Sequence, residues 1–133
     1  MLKLTESKFT ETLPFVFDEE RDSENPTIVW MHVLSPAVSA SHLSQLAACQ
    51  ERRGKQEIIN SERFLSRRRL KVLDSIDSIE NVDIEDKHFD KITKAENEKE
   101  VLSFIKRLDN AQFEEIYEAS DNYSILSERS KKK

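Results

Sequence analysis

The stretch ERRGKQEIINSERFLSRRRLKVLD, residues 51–74, decides which fold the sequence predicts. It contains eight of the 21 basic residues and the only glycine, Gly54. Its apolar residues recur at intervals of three, four or seven positions, the spacing of one face of a helix. They are Ile58, Ile59, Leu65, Leu70, Val72 and Leu73, continued by Ile76. The stretch therefore predicts a long helix from about Gln56 to Ser75, with an apolar stripe and a basic back.

The composition also favours helices. The chain has 133 residues, of which 37% are hydrophobic and 35% are charged, which suits one small domain with a thin core. One glycine and three prolines provide little material for tight turns or for loops that hold phosphates. The composition thus predicts a mainly helical domain.

Cysteine and hydropathy patterns indicate the compartment. The single Cys49 has no partner for an intramolecular disulfide, and the N-terminus lacks an apolar run after its basic start. No segment approaches 18 consecutive apolar residues, so we expect no membrane span. These features predict a cytoplasmic protein.

The charges are unevenly distributed along the chain. Residues 51–71 carry eight basic and three acidic side chains, net +5, whereas residues 72–126 carry six basic and 15 acidic side chains, net −9. We expect the acidic C-terminal third to lie near the basic helix or on a neighbouring subunit. This complementarity makes nucleic acid a less favoured partner.

The N-terminal third predicts two strands and a short helix. Leu13–Phe17 and Thr27–Leu34 are β-branched and aromatic runs that flank a polar loop, which predicts an antiparallel pair with Pro14 at an edge. In the second strand, Trp30 and its alternate neighbours lie on one face. A short helix capped by Ser39 or Ser41 follows, and Gly54 is a candidate for its end.

The rest of the chain predicts a loop and two more helices. Residues 79–93 are interpreted as a loop that can contain a short hairpin, and Asn97 and either Asp109 or Asn110 can cap the helices that follow. The predicted fold is mainly α with a small N-terminal antiparallel hairpin (α+β), a helical bundle packed on a two-stranded ribbon. A loose arm (residues 1–12) precedes the single domain (13–120), and a flexible basic tail (121–133) follows it.

The sequence contains no pattern that predicts an enzyme. His32, His42 and His88 lie in different predicted elements without metal-ligand spacing, and Cys49 has no activating base nearby in sequence. Glycine-rich motifs for nucleotide phosphates are absent from the sequence. We predict no catalytic residue, no cofactor and no metal site.

Two surfaces are candidates for partner binding. The basic residues around Arg63 can neutralise phosphates or pair with acidic protein surface, and only Phe64 adds an aromatic ring among them. The aromatic residues, including Trp30, Phe64 and Phe89, fill the core or form an apolar patch. Because apolar residues occupy both faces of the Thr27–Leu34 strand, a second copy of the chain is a possible cover for one face.

Two segments carry a resemblance to a known family. They are PFVFDEERDSENPTIVWMHVLSP (14–36) and IENVDIEDKHFDKITKAENEKEVLSFIKRLDNAQFEEIYEAS (79–120). In their order and spacing they resemble the small tail assembly chaperones of long-tailed bacteriophages and prophages. The residues that match are Pro14, Phe15, Val16, Arg21, Trp30, Leu34, Pro36, Asn81, Val82, Asp83, Thr93, Leu102, Leu108, Glu115 and Ile116. The chain departs from the pattern at Ile79, where the family has tryptophan, and in lacking a turn glycine in IEDKHFDK.

The resemblance implies a non-enzymatic protein in the cytoplasm of the host cell. Such chaperones coat the tape-measure protein and help to recruit tail-tube protein, and an amphipathic helix-in-groove contact would suit the tape-measure helix. The residues expected to contact the partner are Trp30, Phe64, Leu65, Phe113, Arg67, Arg68 and Arg69. Lys131–Lys133 fits the A-rich slippery codons by which that family makes a second, frameshifted product. The alternatives are a nucleic-acid-binding regulator that uses residues 51–71 and a head-tail component of the virion.

Overall fold

The computed structural model describes residues 11–53, 56–59, 61–122 and 125–127, and between residues 50 and 61 it describes the backbone only. The strands are β1 (Leu13–Phe15), β2 (Ile28–Met31), β3 (Gln50–Arg53), β4 (Gln56–Ile59), β5 (Ile76–Ile84) and β6 (Lys87–Thr93). The helices are α1 (Pro36–Ala47), α2 (Ser61–Ser75), α3 (Lys94–Arg107) and α4 (Asn110–Ala119), with a 3₁₀ turn at Asp18–Glu20. Most of the predicted N-terminal arm (residues 1–10) and most of the predicted basic tail (residues 123, 124 and 128–133) lie outside the described residues.

The main sheet has four antiparallel strands in the order β1-β2-β5-β6. The predicted pairing of the first two strands is confirmed, and Pro14 lies in the edge strand. The predicted mainly α bundle on a two-stranded ribbon is wrong, because β5 and β6 double the width of the sheet.

The hairpin that the sequence allowed in residues 79–93 is present, and two irregularities in β5 explain why the pattern did not predict a nine-residue strand. The buried residues Ile76, Ile79 and Val82 are three positions apart, whereas a regular strand alternates every two. The pairing with β2 skips Asp77, so one additional residue lies between Ile76 and Ser78. Asn81, between the core residues Ile79 and Val82, has a φ of 55° in the left-handed region. The β5 sequence therefore imitates the spacing of a helix.

Helix α2 is shorter than predicted. It begins at Ser61 and not near Gln56, because residues 56–59 pair with residues 50–53 as an antiparallel ladder. Gly54, the predicted end of the preceding helix, lies outside the described residues. Ile58 and Ile59 belong to β4, since β-branched residues favour extended backbone.

The helix caps are set by local chemistry. Ser35 caps α1 by accepting a hydrogen bond from Val38 N at 3.4 Å, and the predicted caps Ser39 and Ser41 lie inside the helix. Pro36 suits the first helical position, because it has no N–H to satisfy there. The predicted Asp109 cap of α4 is confirmed and forms a capping box with Gln112. Asn97 is non-helical and kinks α3, while Thr93 precedes the helix.

The core lies between one face of the sheet and helices α2, α3 and α4. A cross-strand row of Phe15, Val29, Ile79 and Ile92 lies at its centre, each 0–1% exposed. Val72, Val101 and Ile116 cover this row from the three helices and are fully buried. Leu126 is also fully buried, so the core extends past residue 120, where the sequence analysis placed the end of the domain.

A two-residue turn without glycine joins β5 to β6. Glu85 and Asp86 have φ values of 49° and 67°, in the left-handed region that favours glycine. We expect Asp86→Gly to raise the free energy of unfolding by about 0.5 kcal/mol, since relief of the strain exceeds the added chain entropy. Asp86→Val should lower it, because a β-branched residue fits this region poorly. Urea unfolding of both variants tests the turn, and equal effects would contradict it.

Candidate functional site

Helix α1 presents a surface without charge in a strongly charged protein. Residues 25–50 contain no Asp, Glu, Lys or Arg, although 35% of the whole chain is charged. Only His42 and Leu46 of α1 are buried, while Val38 and Leu43 are 39% and 58% exposed. We call the exposed residues of α1, among them Val38 and Leu43 on either flank of the buried stripe, the α1 surface. Depletion of charge with exposed apolar groups is typical of the centre of a protein–protein interface.

Leu65 belongs to the neighbouring helix. It is 38% exposed on α2, which packs against α1. Together with Val38 and Leu43, it completes the set of large apolar residues that are exposed in the described chain. The sequence analysis named Leu65 as a contact residue and missed Val38 and Leu43. The absence of charge across residues 25–50 was the signal that could have found them.

Arg68 lies within the protein and not on a free basic face. Its Nη2 donates to Glu114 Oε1 at 2.6 Å, and its guanidinium lies over the rings of Tyr117 at 4.3 Å and Phe113 at 5.1 Å. Burial lowers the pKa of Arg68, but Glu114 and Tyr117 outweigh burial and raise it. Phe64 lies 6.0 Å from the same guanidinium. The structure thus brings three predicted contact residues, Phe64, Arg68 and Phe113, into one internal cluster.

Lys71 is the most buried charged residue of the basic helix. It is 2% exposed, and its ammonium group donates to Asp121 and lies 4.4 Å from the centre of the Tyr117 ring. Both this pair and the Arg68–Glu114 pair join α2 to the acidic C-terminal third. The prediction that this third lies near the basic helix is confirmed for these two pairs.

The other predicted contact residues are dispersed. Arg67 and Arg69 are half-buried, and Arg67 Nε is buried without a hydrogen-bond partner among the described residues. Trp30 is half-buried on the sheet face opposite the core, where its Nε1 donates to Glu80 Oε2 at 2.9 Å. The predicted contact residues therefore do not form one surface, because Arg68 lies over Phe113 whereas Trp30 lies on the opposite side of the sheet.

Each of the three histidines is paired with aspartate. His42 Nε2 lies 2.5 Å from Asp74, and His32 Nδ1 lies 2.9 Å from Asp77. These partners are 32 and 45 positions away in the sequence, and the Asp77 pair depends on the irregular register of β5, so spacing alone did not predict them. No group of three potential ligands suited to a metal ion occurs in the described part of the chain.

Asp77 makes the fold sensitive to acid. Burial raises the pKa of its carboxyl group, but the hydrogen bond and charge of His32, with Lys94 and Thr12, lower it below 3.8. Because this pKa is lower in the folded state, the stabilisation is present at neutral pH and is lost as the pH falls through the folded value.

His88 lies on the exposed side of the β5–β6 hairpin between two carboxylates. Its Nδ1 is 2.6 Å from Asp83 and its Nε2 is 3.2 Å from Asp90, and Asp83 faces it directly across the ladder. The hydrogen bond to Asp83 is the largest effect on the pKa of His88 and raises it. Desolvation lowers this pKa, but the charges of both carboxylates and the hydrogen bond to Asp90 raise it further, so it lies above 6.5.

We expect Asp83→Asn to lower the pKa of His88 towards 6.5, because it removes the negative charge that stabilises the imidazolium. Because the pKa of His88 is raised in the folded state, its ion pairs with Asp83 and Asp90 stabilise the hairpin below pH 6.5. This stabilisation is lost as the pH rises through the folded-state pKa of His88. An NMR titration of the His88 ring protons measures this change. Glu62→Gln on α2 serves as the control, and an unchanged His88 pKa in Asp83→Asn would contradict the assignment.

A groove of about 590 Å³ lies between β5 and the ends of α3 and α4. Its polar lining includes Asn25, Asn81 and Gln112. Asn81 already donates to Asn25 O at 2.6 Å, and Gln112 to Glu19, so these amides organise the loop and the helix end. The buried residues below the groove, such as Phe17 and Phe104, are 3% and 7% exposed and offer little apolar area. The groove is therefore less suited to an apolar partner than the α1 surface.

Comparisons with protein-family models, with curated proteins and with solved structures found no match. Every helix of the described residues is too short or too polar to cross a membrane. The candidate functional site accordingly rests on the geometry of the chain itself, and the α1 surface is its main feature.

Proposed function

We propose that this protein is a non-enzymatic assembly chaperone of the kind that serves the tails of long-tailed bacteriophages. Its site is the α1 surface, and its ligand is an amphipathic helical segment of the tape-measure protein. The charge-free α1 surface with exposed Val38 and Leu43 carries this proposal. Helices that bind in this way insert apolar residues at intervals of three or four positions into an apolar groove.

The absence of charge on α1 suits this ligand for a physical reason. A partner helix that covers Leu43 does not have to desolvate a lysine or a carboxylate on α1, and desolvating an unpaired charge is costly. Small residues beside Leu43, such as Ala40 and Ser44, are exposed and allow a helix to approach closely. The resemblance described above supplies the identity of the partner, and the tail-tube protein is the second partner that it implies.

The basic helix gives less support to a nucleic-acid-binding regulator. Lys71 is buried, and Arg68 is held by Glu114 and by aromatic rings. Groups that are already paired cannot neutralise phosphates without breaking these contacts. A regulator would nevertheless show a steep loss of binding with salt, and this distinguishes it from the chaperone.

The proposal predicts that a long helical tape-measure protein is encoded beside this gene, and co-expression with that protein is the test. We expect the wild-type protein to co-purify with it and to increase its soluble yield. Leu43→Glu should abolish both effects, because it replaces the most exposed large apolar side chain of the α1 surface with a charge, while the exposed position should leave the fold intact. Ala95→Glu is the matched control, because it adds the same charge at an exposed position in the first turn of α3.

Three results would overturn the proposal. One is that the Leu43→Glu and Ala95→Glu variants co-purify with the partner protein equally well. Another is salt-sensitive binding to DNA or RNA that Arg67→Ala weakens, which identifies a regulator. The third is presence of the protein in purified particles, which identifies a structural component of the virion, since a chaperone is absent from them.

A further inference from the structure

Helix α1 is the least anchored of the helices described. It has 12 residues and buries only two side chains, His42 and Leu46, whereas the shorter α4 buries three core residues. Three serines and the absence of charge reduce its intrinsic helix stability, because serine is a weak helix former and no ion pairs link its turns. An isolated helix of this length is marginal in water. The packing of α1 on α2 therefore decides whether it stays folded.

The polar contact between α1 and α2 leaves one buried ring nitrogen of His42 without a hydrogen bond among the described residues. His42 Nε2 lies 2.5 Å from Asp74 Oδ2 on α2, and the His42 side chain is 7% exposed. Its other ring nitrogen, Nδ1, is buried and has no hydrogen-bond partner among the described residues. A buried ring nitrogen without a partner costs free energy in either protonation state, because it has lost its hydrogen bond to water. The contact that holds α1 thus carries a penalty that opening removes.

We infer that α1 opens away from α2 as a unit while the four-stranded sheet and helices α2, α3 and α4 stay folded. Such local opening is drawn from the parts of a protein with few buried contacts. Opening exposes Leu46 and the side of α2 that α1 covers, in addition to Leu43. The open form offers a partner helix a larger apolar surface than the closed form does, a step that rests on the proposed function. Partner binding and the position of α1 are therefore coupled.

The chain contains its own reporter for this motion. Cys49 is its only cysteine and lies two positions after the end of α1. It is 2% exposed, and its thiol donates to the carbonyl oxygen of Gln45, one turn back in the helix, at 3.4 Å. A thiol reagent reaches this buried sulfur only when the surrounding structure opens, and opening of α1 breaks its contact with Gln45.

The test is the rate at which excess Ellman's reagent labels Cys49 under native conditions. Local opening predicts a rate that is nearly independent of urea at low concentrations, because little surface is exposed. Asp74→Ala should raise the rate by roughly 5- to 100-fold, since it removes the partner of His42. Glu62→Ala removes an exposed carboxylate from the same helix and should change the rate by less than about twofold. Asp74→Asn provides a second variant if Asp74→Ala does not fold.

Hydrogen exchange separates local opening from general destabilisation. We expect Asp74→Ala to accelerate the amides of α1 and to leave those of Ile79 and Ile116 in the core unchanged. A labelling rate with the full urea dependence of global unfolding, or equal acceleration of α1 and core amides, would overturn the inference. These measurements need no partner, so their failure is distinct from failure of the proposed function, which is measured with Leu43→Glu.

Discussion

Phe15→Ala is expected to lower the free energy of unfolding by about 3–5 kcal/mol. Phe15 is fully buried although it lies in a three-residue edge strand, and its ring meets that of Phe17 edge-on at 5.1 Å. Removing the ring leaves a cavity between β2 and the helices. The strand β1 cannot move to fill this cavity, because its pairing with β2 fixes its position. Urea unfolding followed by the fluorescence of Trp30, the only tryptophan, measures the change.

Phe89→Ala is the matched control, since it removes the same side chain from the other edge strand. Phe89 is only half-buried, so we expect a smaller loss of about 1–2 kcal/mol. Equal losses in the two variants would show that β1 is not seated on the core as described. A large loss at Phe15 alone would establish that the short N-terminal strand stabilises the whole domain.

Asp121→Ala is expected to lower the free energy of unfolding by about 2–4 kcal/mol. Lys71 is 2% exposed, and without Asp121 its ammonium group keeps only the ring of Tyr117 as a favourable contact in the described structure. Lys71→Met should cost less, because it removes the buried charge and leaves Asp121, whose side chain is 34% exposed, in contact with water. The order of the two variants in urea unfolding tests the argument.

The Glu85–Arg107 pair provides the control for a surface ion pair. Its two side chains are 64% and 52% exposed, so Glu85→Ala should change stability by less than about 1 kcal/mol. If Glu85→Ala were as damaging as Asp121→Ala, burial would not be the reason for the effect. If Lys71→Met lowered the free energy of unfolding more than Asp121→Ala, the methylene chain of Lys71 would matter more than its charge.

The basic helix illustrates how a charge pattern acquires its meaning in three dimensions. The run of arginines was compatible with a phosphate-binding face and with an internal face. In the structure Arg68 and Lys71 point to Glu114 and Asp121, so part of the positive charge neutralises the acidic C-terminal third. The proposed partner surface lies instead on α1, where charge is absent.

Local signals predicted the elements that depend on neighbours in the sequence. Asp109 at the start of α4 was predicted because a cap needs only residues within one helical turn. The alternation in residues 27–34 placed Val29 and Met31 on one face, and both are fully buried. Pro14 was assigned to an edge because it lacks a backbone donor, which is a property of the residue itself.

Predictions failed where distant residues decide the structure. Val72 was correctly placed on the apolar stripe of α2 and is fully buried, but Leu65, on the same predicted stripe, is 38% exposed, because neighbouring elements cover one end of α2 and not the other. The resemblance to tail assembly chaperones stays a proposal, because it rests on order and spacing along the chain.

The sequence by itself determined the Asp109 cap, the first hairpin, the charge asymmetry and the charge-free run of residues 25–50. Only the tertiary structure decided that residues 76–93 complete a four-stranded sheet, because the skipped Asp77 and the left-handed Asn81 hide the alternation until the strands pair. It likewise decided that α1 is held mainly by His42 and Leu46 and exposes Leu43. Caps and alternation depend on residues a few positions apart, whereas register, burial and the pairing of charges depend on which distant segments meet.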